Sequence, residues 1–136
     1  MNLVDSSLWI DYFRRKTSPA VKQQIAEVVN GADVVTCEPI LFELLRATSP
    51  RESLRVEEYF ATVPQLSTPA TLWRDAIALG QRCFAAGFLP RAMDLLIADV
   101  CLAHGCTLTT FDEHFTQIAK VSRLKLKLLV RASVAL

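Results

Sequence analysis

Apolar and polar positions along this chain follow two periods, and the switches between them mark out the elements. NLVD (2–5), DVVTC (33–37), QLST (65–68), CTLTT (106–110) and LKLKLLV (124–130) are short and β-branched or alternating, which predicts strands. Between them, SSLWIDYFRR (6–15), AVKQQIAEVVNG (20–31), EPILFELLRA (38–47) and RESLRVEEYFATV (51–63) carry helical spacing. So do PATLWRDAIALGQRCFAAG (69–87), DLLIADVCLAHG (94–105) and DEHFTQIAKV (112–121). Ser6 or Ser7 is expected to cap the first helix, and Pro39 suits the first turn of its own. Gly31, Pro64, Gly87 and Gly105 are placed as stops. FLPRAM (88–93) reads as a loop, and the helix after it is apolar nearly all round.

Strands and helices in this alternation predict an α/β fold. Its core would be a central, mostly parallel sheet of five strands with helices on both faces. The length suits one domain over residues 1–136. Ligands of such sheets bind beyond the carboxyl ends of the strands. Asp5 stands at such an end, directly behind Leu3 and Val4, where a carboxylate is costly unless something pairs with it.

Composition changes this picture little. There are 15 Lys and Arg against 14 Asp and Glu, a net charge of +1, so a nucleic-acid role would need a local basic patch. Arg14, Arg15 and Lys16 form one such cluster; Arg123, Lys125, Lys127 and Arg131 form another. No basic start followed by an apolar stretch marks a signal peptide, and no apolar run approaches the ~20 residues of a membrane span. A cytoplasmic protein is expected. Cys37, Cys83, Cys101 and Cys106 lack zinc-site spacing and are expected as buried, reduced thiols.

The candidate chemistry lies in the acids. Asp112 follows the strand CTLTT and should emerge on the same sheet edge as Asp5. Asp94 opens the helix upstream of that strand, and Glu43 is embedded among Leu41, Phe42, Leu44 and Leu45. Each alone has a local explanation as a cap, turn or solvated residue. Together the four carboxylates can converge, and a convergent set repels itself unless protonated or bridged by a cation. Hard oxygen donors suit Mg²⁺ or Mn²⁺. Asp5 would then be a metal ligand, with Ser7 hydrogen-bonding a carboxylate or a bound water behind it.

VDSSLWIDYF, CEPILFELL and MDLLIADVCLAHGCTLTTFDEHF, in this order, resemble the PIN domain, in particular the VapC toxins of bacterial toxin–antitoxin pairs. The resemblance covers nearly the whole chain. It implies a Mg²⁺- or Mn²⁺-dependent endoribonuclease, a target in tRNA or ribosomal RNA, a homodimer and a silencing VapB-type antitoxin. The family's acidic set falls on Asp5, Glu43, Asp94 and Asp112, its small hydroxyl residue on Ser7 and its threonine on Thr110. The last acid, often Asn in relatives, is Asp here. Asp99, where relatives carry a small residue, lies five positions on from Asp94, about 140° round a helix. It is an extra candidate for the surroundings of the site. Arg91 is the first candidate for RNA contact and the cluster from Arg14 and Arg15 to Lys16 the second. The aromatic residues of SLWIDYF and RVEEYFATV are either core or a docking surface for the antitoxin. His104 reads as a last-turn residue of its helix, and neither it nor His114 is assigned a role.

A DNA nuclease on a related sheet and a non-catalytic cation-binding module are the rival readings. The short chain leaves little room for junction-gripping loops, and the intact acid set disfavours the module. A receiver-type sheet is rejected, because Asp5 has no acidic neighbour at its strand end and no lysine follows the last strand as that fold requires.

Overall fold

The computed structural model describes residues 1–133. Its element order is β1 (Asn2–Val4), α1 (Ser6–Phe13), α2 (Pro19–Val29), β2 (Val34–Cys37), α3 (Glu38–Leu45) and α4 (Pro50–Phe60). Then follow β3 (Gln65–Leu66), α5 (Leu72–Ala85), α6 (Ala92–His104), β4 (Thr107–Thr110), α7 (Phe115–Lys120) and β5 (Lys125–Leu128). The strands form one five-stranded sheet in the order β3-β2-β1-β4-β5, and every pair is parallel.

That order fixes where function can sit. From β1 the chain steps outward to β2 and β3, then returns to pair β4 on the opposite side of β1. The reversal opens a crevice at the carboxyl ends of β1 and β4, the place where parallel sheets bind ligands. Val4 is in register with Thr109, so Asp5 and Thr110 leave the sheet side by side. The Asp5 N–H, donating to the Thr109 carbonyl at 2.9 Å, continues the ladder to the last residue before the helix.

The central strands β1, β2 and β4 are largely buried on both faces, as their apolar residues require. Leu3, Val4, Leu8, Trp9, Ile25, Ile40, Ile97, Val100, Leu108 and Ile118 are all fully shielded. α6 buries residues on several sides, as its nearly continuous apolar sequence requires. It stops at Gly105, whose φ of 63° is open to glycine at no steric cost, and the Cys106 N–H returns to the Cys101 carbonyl at 3.2 Å. His104 is the last residue of the helix, and its Nε2 meets the Ser67 carbonyl at 2.8 Å.

The aromatic residues of α1 and α4 face one another. Trp9 lies 4.7 Å from Phe60 and 5.5 Å from Tyr59 between ring centroids, with Tyr12 and Phe13 joining the cluster. Trp9 and Phe60 are buried in the core, and Tyr12, Phe13 and Tyr59 pack against it half-buried. The four cysteines are free and buried, as expected.

Several boundaries differ from expectation. Asp5, rather than Ser6 or Ser7, occupies the N-cap position of α1, because the helix begins one residue after the strand ends. Gly31 lies two residues beyond α2 without a left-handed φ, and Asn30 caps that helix. α6 begins at Ala92 with Arg91 at its N-cap, so Asp94 stands in the first turn instead of opening the helix. α7 begins only at Phe115, leaving Asp112, Glu113 and His114 in the turn that leads to it. β5 is an edge strand with Leu128 exposed, and its lysines blunt the open edge against further pairing. No helix among the described residues is long and apolar enough to cross a membrane.

Candidate active site

Asp5 is held in place by hydroxyl groups from two segments, the end of β4 and the start of α1. Thr110, the last residue of β4, donates its Oγ1 hydrogen to Asp5 Oδ2 at 2.7 Å, and Ser7 donates to the same oxygen at 2.9 Å. Ser6 donates to Glu43 Oε1 at 2.8 Å and also lies 3.5 Å from Asp5 Oδ1, so it links α1 to α3. Thr110 Oγ1 in turn accepts the Asp112 N–H at 2.9 Å, and Ser7 Oγ accepts the Phe111 N–H at 3.2 Å. These bonds satisfy backbone donors of the β4–α7 turn while aiming the Asp5 carboxylate.

Asp94 and Asp112 are joined by a different device. Arg91 places its Nε 3.3 Å from Asp94 Oδ2 and its Nη2 2.9 Å from Asp112 Oδ2. Asp112 Oδ1 accepts the His114 N–H at 2.9 Å and has His114 Nδ1 at the same distance. An open cavity of about 440 Å³ covers this half of the site, lined by Pro90, Arg91, Asp94, Asp112, His114 and Gln117. Leu89 closes its rim.

The four acids are thus tied into one network. It runs from Glu43 through Ser6 to Asp5, through Thr110 to Asp112, and through Arg91 to Asp94. Asp5 is 3% exposed and Asp94 4%, so both carboxylates are largely desolvated. Burial pushes the Asp5 carboxyl above its ordinary range, against the lowering pull of the Thr110 and Ser7 hydroxyls. Burial raises Asp94 to about 6; Arg91 opposes the rise, while the Asp112 and Asp5 charges add to it.

Residues 3–121 match the PIN domain family. The chain belongs to the PIN-domain family. Ribonuclease VapC11 of Mycobacterium tuberculosis is 30% identical over 131 residues, covering 92% of this chain and 96% of that protein. VapC ribonuclease Mb1587 of Mycobacterium bovis matches to the same extent, 30% over 131 residues. Among solved structures, VapBC2 from Rickettsia felis bound to a promoter DNA fragment superposes with a TM-score of 0.72 at 16% identity. That match covers 94% of this chain and 98% of the other. VapBC-5 from Mycobacterium tuberculosis gives 0.69 at 19% identity, over 94% and 98% of the two chains. At these identities the structural likeness concerns the fold.

Within this PIN domain, the structure brings Asp5, Ser7, Glu43, Asp94, Thr110, Asp112 and Arg91 into one connected site. It does not bring Asp99 there. Asp99 faces a separate cavity with Asp75, Arg82, Lys120 and Arg123, as its angle round α6 from Asp94 requires. Arg14 and Arg15 follow the carboxyl end of α1, whereas Asp5 caps its opposite end, and neither hydrogen-bonds to the acids. Two residues of the site carried no assignment from sequence. Ser6 was legible only as a cap candidate, and His114 has nothing in its surroundings that distinguishes it from a turn residue.

The donor chemistry fits a hard divalent cation, since two of the carboxylates are desolvated and all four contribute oxygen. The spacing is open. Among the described residues, no three His, Cys, Asp or Glu side chains stand close enough together to hold a metal ion.

These shifts have a stability consequence. The folded protein holds the Asp94 proton more tightly than the unfolded chain does. That contribution is complete below the ordinary value of 3.8 and is lost as pH rises through about 6. Asp94→Asn should therefore raise the melting temperature of the metal-free protein at pH 7.5 by roughly 2–6 °C. The gain should shrink towards zero at pH 4, and thermal melts of both proteins across that range check it.

Proposed function

We propose that this chain is the toxin of a VapBC-type toxin–antitoxin pair, an endoribonuclease that hydrolyses RNA phosphodiester bonds with Mg²⁺ or Mn²⁺. The observation that carries the reading is the hydrogen-bonded acid quartet at the β1–β4 crevice, in a chain whose relatives are named VapC ribonucleases. tRNA and ribosomal RNA are the substrates proposed, and the cytoplasm, where both reside, the location.

Asp5, Glu43, Asp94 and Asp112 are the residues that would hold the cation. Bound there, it would polarise the phosphate and acidify a water towards neutral pH. The protein's own contribution is orientation. Thr110 and Ser7 fix the Asp5 carboxylate against its strand end, and Ser6 fixes Glu43 through a bond that spans two helices. Glu43 and Asp112 are half-buried, which leaves them able to reach solvent and to accept a proton from an attacking water. Asp5 and Asp94, buried, stay as fixed negative charge once the cation is in place.

Solved structures of similar fold are complexes of toxin with antitoxin, which supports a VapB-type partner for this chain. A homodimer is proposed as well, and one surface suits it. Trp73, Ile77, Phe84 and Leu89 are each more than 60% exposed, and they line an apolar groove of about 480 Å³ on α5 and the start of α6. A monomer seldom leaves so many large apolar side chains together in water. Leu89 also borders the acid cavity, so a second copy seated on the groove would lie beside the active site. Ile77→Glu should shift the protein from dimer to monomer in size-exclusion chromatography with light scattering. An unchanged mass would remove this face from the interface.

The activity itself is tested with purified protein and total tRNA, in Mg²⁺, in Mn²⁺ and in excess EDTA. Discrete, metal-dependent cuts are expected. Asp5→Ala and Asp94→Ala should each lower the rate by at least ~100-fold while melting no lower than the parent in the absence of metal. Cleavage that persists in EDTA and in both variants would rule out the acid quartet as the catalytic centre.

A further inference from the structure

Arg91 occupies a position no other basic residue shares. Its guanidinium spans two carboxylates, and the oxygens it holds, Asp94 Oδ2 and Asp112 Oδ2, point at the same space. The other Asp112 oxygen is already engaged by the His114 backbone N–H and ring, so Asp112 has no unengaged oxygen while Arg91 remains. A cation seated between the two acids would compete with the guanidinium for the Asp94 and Asp112 oxygens it now holds.

The same residue is built to leave. Its side chain is 72% exposed, so withdrawal breaks no packing, and an ion pair with so exposed a member is held only loosely. Its backbone, in contrast, is fixed at the N-cap of α6 with φ −62° and ψ 147°, directly after Pro90. The Cα therefore stays at the cavity rim while the side chain swings. A guanidinium released there meets solvent at the mouth of the acid cavity, where a phosphate would approach and where its planar fork matches phosphate oxygens.

We propose that Arg91 is the resident counter-cation of the acid cluster. A divalent ion binding between Asp94 and Asp112 displaces it, and the freed guanidinium becomes a contact for the RNA phosphate. The proposal rests on the metal-site reading above and adds an order to it: metal first, phosphate second. Because the two events are linked, metal strengthens RNA binding and RNA strengthens metal binding by the same factor.

The test uses Arg91→Met, which keeps most of the stem and removes the charge, with circular dichroism to verify the fold. Calorimetric titration of Mn²⁺ into metal-free protein is expected to show binding about 5-fold or more tighter in the variant than in the parent. Binding of a short, hydrolysis-resistant phosphorothioate RNA is then followed by fluorescence anisotropy. The variant should bind it more weakly than the parent in Mn²⁺ and equally in EDTA. Equal or weaker Mn²⁺ affinity in the variant would overturn the competition. RNA binding weakened to the same extent in EDTA would overturn the handover, since Arg91 would then be a standing phosphate contact. If neither protein binds Mn²⁺, the metal-site reading itself fails, a result distinct from both.

Discussion

The structure depends on a carboxylate placed where a parallel sheet can least accommodate one. Asp5 follows the central strand, almost without solvent, directly behind the buried Leu3 and Val4. An unpaired buried charge would cost several kcal/mol, enough to remove much of the stability of a domain of this size. Every polar group around it answers that cost. Thr110 and Ser7 donate to one oxygen, and the start of α1 directs its dipole at the carboxylate. On the proposed reading, the residues that would hold a cation are the ones whose buried charge costs the cation-free protein stability.

Arg91 moderates that conflict. It pairs with Asp94, whose carboxyl burial raises to about 6, and with Asp112. Guanidinium is weakly hydrated and geometrically suited to two carboxylates at once, which an ammonium could not span as well. The cluster is therefore compensated from within, and the compensation can be exchanged for a stronger one. The apolar groove beginning at Leu89 places this arginine between two surfaces with different demands, one acidic and one apolar.

Much of this was legible from the chain, for reasons that differ by residue. Asp5 and Asp112 each follow an apolar strand, and parallel strands must deliver such residues to one edge. Glu43 stood out because its flanks are apolar on both sides. Asp99 was separable from Asp94 by helical angle, and the structure places it in another cavity. The start of α6 was not legible: Ala92 and Met93 carry no cap signal, so the acid two residues later looked like the opening of the helix when the Pro90–Arg91 step sets it. Ser6 and His114 were hidden by ambiguity. A serine after a strand and a histidine in a turn have ordinary local uses; the long-range bond from Ser6 to Glu43 and the turn contact of His114 with Asp112 show the other one. β5 keeps the alternation of its sequence, with Lys125 and Lys127 exposed and Leu126 packed against the core, although it lies at the sheet edge.

The account turns on whether the four acids act as one cation site. The direct measurement is anomalous diffraction from a crystal of the protein grown or soaked with Mn²⁺. The account predicts an anomalous peak in the β1–β4 crevice, in contact with Asp5 and Asp94, with the Arg91 side chain withdrawn from between Asp94 and Asp112. A peak elsewhere, or a crevice in which Arg91 still bridges both acids at saturating Mn²⁺, would contradict it.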